Sequence, residues 1–185
     1  MIIDRRSLLA ALPAVAVAGE AFAQAKTDPD NTMLITLKDG VVTVRLRPDL
    51  APKHVEQIKT LVRQKFYEGI VFHRVIAGFM AQTGDPRGNG TGGSSLPNIP
   101  AEFTKTPFVR GTLGMARSSA PDSANSQFFI CFDDASFLNG QYTVFGEVVK
   151  GMELVDKIKK GDRNNNGAVT NPDKMIKVRL GSDPA

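Results

Sequence analysis

The sequence predicts a mainly β fold, an eight-stranded antiparallel barrel closed on itself and capped by two helices. Three observations predict it. Eight short segments are rich in β-branched and aromatic residues, and several alternate apolar with polar side chains. Only two segments carry helical periodicity. The connections between them are rich in glycine and proline, with no internal repeat and no second domain.

Taken in order, residues 33–37 and 41–47 flank Asp39-Gly40, a hairpin signal. Val42, Val44 and Leu46 alternate with Thr43, Arg45 and Arg47, as a strand with one buried face requires. Pro52 opens the first helix, where its missing N–H costs nothing. Val55, Ile58, Leu61, Val62 and Phe66 form its apolar face, and Gly69 is its expected end. Strands follow at 71–76, 79–83, 112–116, 127–132 and 143–149. Residues 152–160 read as a second short helix with Leu154, Val155 and Ile158 turned inward, and 175–180 as a closing strand. A barrel of about eight strands is filled by its own side chains. A binding site must therefore lie on the outer wall.

Bulk properties exclude several classes of function. The chain has 185 residues, 42% hydrophobic and 23% charged, enough for one domain with a sizeable core. Its net charge of +4 is scattered and forms no basic cluster, so nucleic acid is not an expected partner. Cys131 is the single cysteine, which rules out an internal disulfide and a cysteine metal cluster. In the apolar run Phe128-Phe129-Ile130-Cys131-Phe132 it reads as buried filler.

The first 23 residues read as an export signal. Arg5 and Arg6 precede an apolar stretch from Ser7 to Gly19, too short to span a bilayer, and Ala21-Phe22-Ala23 offers a small-x-small cleavage pattern. Ala23-Gln24-Ala25 offers a second cut, after residue 25. The arginine pair also resembles a twin-arginine signal, so both the Sec and the Tat routes stay open. Residues 24–32 read as a flexible lead-in, 33–181 as the domain, and the mature chain has no membrane span. A periplasmic location is the expectation.

Three separated segments carry the chemistry. The first runs from Phe72-His73-Arg74-Val75-Ile76 to Phe79-Met80-Ala81-Gln82-Thr83-Gly84-Asp85. The second is Gly111-Thr112-Leu113-Gly114-Met115-Ala116-Arg117. The third comprises Ser126-Gln127-Phe128-Phe129-Ile130, then Phe137-Leu138-Asn139-Gly140 and Val144-Phe145-Gly146. In a strand, Gln127 and Phe129 share one face while Phe128, Ile130 and Phe132 share the other. Three bulky apolar groups suit the barrel interior, and a Gln beside a Phe suits a binding wall. Met80 and Gln82 show the same two-residue spacing.

In this order and spacing the segments resemble the cyclophilin family of peptidyl-prolyl cis-trans isomerases, and the resemblance runs from the first strand to the last. It implies an enzyme that rotates X–Pro peptide bonds without a covalent intermediate, needs no cofactor or metal, and accelerates the folding of exported proteins. By the same resemblance Arg74 is the catalytic arginine and Gln82 braces it. Phe79, Met80, Phe129 and Leu138 receive the proline ring, with Phe137 and Tyr142 at the rim. Gly90, Ala116, Arg117 and Gln127 line the peptide groove, and His73 is structural. The implied partners are unfolded or flexible proline-containing polypeptides, met by a monomer. Phe137 stands where many members carry tryptophan, Tyr142 where they often carry histidine, and Arg117 where asparagine is common. Isomerisation should survive these changes, whereas cyclosporin binding should be weak.

Three other motifs lead elsewhere. Gly88-Asn89-Gly90-Thr91-Gly92-Gly93 contains GxGxxG, but Pro97 and Pro100 follow and no helix opens, so a nucleotide loop is rejected. Residues 162–173 have EF-hand-like spacing, yet the last position is Asp173 and Pro172 blocks an exiting helix; an Asn-Gly turn is simpler. Cys131 with His54 or His73 sketches a thiol hydrolase that lacks an oxyanion loop. Among functions, a peptide-binding chaperone without turnover competes with the isomerase; it would have no need of Arg74.

Overall fold

The computed structural model describes residues 28–184. The proposed signal (1–23) and residues 24–27 of the lead-in therefore lie outside the described residues. Pro29–Asn31 of the expected flexible lead-in instead form a short 3-10 turn, and Thr32 already belongs to the first strand. Eight strands form one antiparallel sheet: β1 (Thr32–Leu37), β2 (Gly40–Leu46), β3 (Arg74–Ile76), β4 (Met80–Thr83), β5 (Thr112–Met115), β6 (Phe128–Cys131), β7 (Val144–Lys150) and β8 (Lys177–Leu180). Their order across the sheet is β3-β4-β6-β5-β7-β2-β1-β8. The first hairpin turns one residue earlier than expected, on Lys38-Asp39, with Leu37 opposite Gly40. Gly40 takes φ 146°, and a Cβ there would stand 3.0 Å from Leu154 Cδ1.

The sheet is curled into a half-barrel, which corrects the expectation of a fully closed one. β3 and β8, the two edges, do not pair as a ladder. The reason lies in β3, which has three residues and an outer edge already occupied. Gly161 N donates to Val75 O (2.9 Å), Val75 N to Gly167 O (2.8 Å) and Val169 N to His73 O (3.1 Å). With those groups taken by the 161–169 segment, none remain for β8. Only isolated contacts span the gap, such as the Val71–Lys174 bridge and Met175 N donating to Ile70 O (2.9 Å).

Helix α1 (Pro52–Arg63) buries Val55, Ile58, Leu61 and Val62 and packs against β8 and β7. It stops six residues before Gly69. Lys65 adopts a left-handed φ of 57°, Phe66 N donates to Leu61 O (3.0 Å) and Lys65 N to Val62 O (2.9 Å). That pair of bonds is a Schellman termination, with lysine in the place glycine usually takes. Helix α2 (Met152–Val155) is shorter than the 152–160 expected and packs against β2. Beyond it the chain tightens into three-residue turns, Lys157 N to Leu154 O (3.2 Å) and Ile158 N to Val155 O (3.1 Å), which still bury Ile158.

The period-two alternation of β6 divides the core in two. Phe128, Ile130 and Phe132 point into the main interior with Tyr67, Phe72 and Phe145. Phe129 and Cys131 point outward into a smaller cluster with Met80, Phe108, Ala135, Leu138 and Val144. That outer cluster is the floor on which the candidate site stands.

Candidate active site

Strands β3, β4 and β6 pair side by side, with Arg74 opposite Gln82 and Gln82 opposite Phe129. Three residues 55 positions apart in sequence at the extremes thereby reach one stretch of outer wall. Beside them lie two cavities. The first, about 300 Å³, is lined by Arg74, Phe79, Met80, Phe129, Phe137, Leu138 and Tyr142. The second, about 250 Å³, is lined by Gly90, Thr91, Gly92, Ser118, Ser123, Asn125 and Gln127. Gln82, Ala116 and Arg117 border both and form the saddle between them. Every site residue singled out from the sequence lines one cavity or the other.

The apolar cavity owes its shape to stacked rings. Phe129 stacks on Phe108 at 5.8 Å between centroids and meets Tyr142 edge-on at 5.8 Å. Phe79 packs against Phe137 at 5.2 Å, and Phe137 remains 62% exposed at the rim. Gly114 permits this packing: a Cβ there would stand 2.4 Å from Phe129 Cζ and 2.6 Å from Phe108 Cε1.

A directed chain of hydrogen bonds crosses the saddle. Arg74 Nη1 donates to Gln82 Oε1 (3.2 Å), Gln82 Nε2 to Gln127 Oε1 (2.9 Å), and Gln127 Nε2 to the carbonyls of Gly90 (3.1 Å) and Gly92 (2.8 Å). A guanidinium only donates, so Gln82 must offer it oxygen and turn its amide nitrogen to Gln127, which repeats the same orientation. The arginine thereby sets both amides. Arg74 also donates from Nε to Asn166 O (3.0 Å) and from Nη2 to Asn166 Oδ1 (3.0 Å). Burial lowers the Arg74 guanidinium from its ordinary value, with Tyr142 acting the other way, but an arginine keeps its charge in such a site. The Arg117 guanidinium carbon sits over the Tyr142 ring, 4.5 Å from its centroid, and the side chain donates to the carbonyls of Gln141 and Ser118.

The scaffold behind the groove is pinned from inside. Tyr67 OH donates to Ser126 O (3.0 Å), and Ser126 Oγ donates to Gly84 O (2.8 Å), which ties the start of β6 to the end of β4. His73 is buried, and among the described residues neither of its ring nitrogens has a hydrogen-bond partner. Burial lowers its pKa below the ordinary imidazole value, and the nearby Asp85 carboxylate only partly opposes this.

The rejected motifs now have physical accounts. Backbone amides at the start of this loop already hold an anion, the chain's own Asp85, which accepts from Arg87 N (2.8 Å), Asn89 N (3.0 Å) and Gly90 N (2.6 Å). In the EF-hand-like segment Asp162 accepts from Asn164 N (2.9 Å), while Asp173 pairs with Lys38 (2.9 Å). Burial pushes the Cys131 thiol up to about 12, which removes the thiolate a hydrolase would need.

Four residues that sequence reasoning gave no role shape the site: Tyr67, Asp85, Gly114 and Asn166. Asp85 and Gly114 stood inside the motif segments, and Asn166 was legible only as half of an Asn-Gly turn.

Residues 32–180 match the family described as cyclophilin type peptidyl-prolyl cis-trans isomerase/CLD. A probable peptidyl-prolyl cis-trans isomerase of Brucella suis is 60% identical over 190 residues, covering 96% of this chain and 97% of the relative. A peptidyl-prolyl cis-trans isomerase of Helicobacter pylori is 42% identical over 132 residues, covering 69% of this chain and 80% of the relative. Among solved structures, a cyclophilin from Hirschia baltica superimposes with a TM-score of 0.77 at 27% identity, covering 86% of this chain and 77% of that one. A cyclophilin-type isomerase from Cryptosporidium parvum, crystallised in the presence of the dipeptide Ala-Pro, gives 0.75 at 28% identity, covering 82% and 99%.

Proposed function

The chain belongs to the cyclophilin-type peptidyl-prolyl cis-trans isomerases, and from that premise we propose that it catalyses X–Pro rotation in the groove around Arg74. The observation that carries this reading is the arginine's placement. It borders a cavity with walls of Phe79, Met80, Phe129 and Leu138, a lining suited to a pyrrolidine ring. Of its five N–H groups, three are committed to Gln82 and Asn166, which leaves two for substrate.

The X–Pro amide has two nearly balanced planar states separated by a barrier of about 18–20 kcal/mol. No bond breaks during rotation, so a covalent intermediate has no part in it. Rotation speeds up when the site favours the twisted amide over both planar forms. Twisting localises a lone pair on the prolyl nitrogen, and an Arg74 N–H directed at it stabilises that state. A charge-assisted hydrogen bond is worth about 1.5–3 kcal/mol, or roughly 10- to 150-fold in rate. The rest comes from removing the amide from water and holding the flanking peptide along Ala116, Arg117 and Gln127 while one end turns.

The substrates in this reading are flexible or unfolded proline-containing polypeptides, and the protein acts as a monomer. The direct test follows cis-to-trans relaxation of an Ala-Pro peptide with and without the protein. The expected result is an acceleration proportional to protein concentration; relaxation unchanged at micromolar protein would remove the isomerase reading.

Arg5-Arg6, the apolar run and Ala21-Phe22-Ala23 support action in the periplasm on exported chains, whose folding slow proline steps of tens of seconds can limit. Protein recovered from the periplasm is expected to begin at Gln24 or Lys26. An N-terminus at Met1 in the cytoplasmic fraction would contradict export.

Cyclosporin inhibition is expected to be weak, because Phe137 offers no indole N–H at the exposed rim. Phe137→Trp should lower the inhibitory concentration by about tenfold, the worth of one hydrogen bond. Stoichiometric inhibition of wild type at nanomolar drug would refute this.

A further inference from the structure

The 161–169 segment, which spoils the closure of the barrel, also reaches the reacting centre. Asn166 meets Arg74 at two points, its main-chain carbonyl accepting from Nε and its side-chain oxygen from Nη2, each at 3.0 Å. Those donors form one edge of the guanidinium fork, the edge a carboxylate would take in a bidentate pair. Here one neutral residue supplies both acceptors. We propose that Asn166 is a positioning residue for the isomerase, clasping that edge of Arg74 so that the remaining N–H groups face the prolyl nitrogen. The inference rests on the isomerase reading above and extends it to a residue outside the groove lining.

The segment is built to hold that clasp. Asn166 has φ 51° and ψ 28°, a left-handed conformation that asparagine tolerates better than most residues. The turn before it is closed on Asp162, whose carboxylate accepts from Asn164 N (2.9 Å) and whose carbonyl accepts from Gly167 N (2.8 Å). Gly167 then passes so close to β3 that a Cβ would stand 2.5 Å from Ile76 Cγ1. Val75 N donates to Gly167 O (2.8 Å) and Gly161 N to Val75 O (2.9 Å). The clasp is thus fastened to the residue that follows Arg74 in its own strand, so segment and arginine move together.

Geometry also explains why a neutral clasp suits the chemistry. A carboxylate on that edge would offset the positive charge meant for the amide. Two amide-type oxygens orient the fork and leave its charge available. On the opposite flank Gln82 does the same through a third neutral acceptor.

The test compares Asn166→Gly, Asn166→Asp and wild type by kcat, by peptide Kd from titration and by thermal unfolding. Glycine keeps the left-handed backbone and its carbonyl while deleting Oδ1, so the fold should persist. The expected result for Asn166→Gly is a kcat about tenfold lower with Kd within about twofold of wild type. Asn166→Asp, which restores an acceptor but sets a carboxylate against the fork, should return Arg74 Nη2–H exchange to the wild-type rate while kcat stays at least about threefold below wild type. In an Arg74→Lys background, where no fork remains to clasp, Asn166→Gly should change kcat by less than about twofold. Hydrogen exchange at Arg74 Nη2–H, the donor that Asn166 Oδ1 holds, gives a readout independent of turnover, and it should quicken in Asn166→Gly. Unchanged kcat and exchange in Asn166→Gly, or an equal fractional loss with Lys at position 74, would overturn the inference. Absence of catalysis by wild type would instead overturn the isomerase reading on which it stands.

Discussion

Arg74→Ala is expected to lower kcat/KM for an X–Pro peptide by roughly 10²-fold while leaving peptide affinity within a few-fold of wild type. The two effects separate because the cavity and the arginine do different work. Phe79, Met80, Phe129 and Leu138 contact the ring in ground state and transition state alike, so their contribution survives. The guanidinium acts on a lone pair that exists only when the amide is twisted, so its loss falls on kcat. Truncation also frees Gln82 Oε1 and both Asn166 oxygens, which water can reach at this partly exposed wall, and the fold should lose little. Arg74→Lys keeps the charge but not the fork, and should also be impaired. Equal relaxation rates for wild type and Arg74→Ala would refute the mechanism. Loss of peptide binding in Arg74→Ala would show instead that the arginine serves affinity.

Much of this was legible in the sequence because strand geometry is periodic. Alternation in 127–132 assigned Phe128, Ile130 and Phe132 to the interior and Gln127 with Phe129 to the wall, and the core clusters divide along that line. What escaped reading depended on features that do not repeat. Lys65 ends α1 in a left-handed conformation that most lysines avoid, so Gly69 looked the better stop. Helical periodicity in 152–160 survives as inward-facing Val155 and Ile158, although the backbone there tightens into shorter turns. Closure of the barrel depended on whether β3 would be free to pair, and a segment about 90 residues later in the chain had already taken its edge. The contact between Asn166 and Arg74 is long-range in the same sense: no local pattern joins them.

Gly114 is the other position where a large effect is expected, and it should fail differently from Arg74. A single added methyl in Gly114→Ala would press on Phe129 and Phe108, at 2.4 and 2.6 Å from their nearest ring atoms. Phe108 is fully buried and cannot retreat. Phe129 has Phe108 on one side and the edge of Tyr142 on another, so the open direction left to its ring is the cavity it lines. The substitution therefore drives the ring into the space that would hold proline. Overpacking of this kind costs about 1–3 kcal/mol, or roughly 2–12 °C in Tm for a domain of this size. Peptide Kd should rise by about tenfold or more, because a ring that occupies the cavity competes directly with the ligand. That is the reverse of Arg74→Ala, where affinity holds and turnover falls. A Gly114→Ala protein with wild-type Kd and wild-type relaxation rate would mean that the ring finds another place to go, and that the floor of the cavity is not set by the missing Cβ.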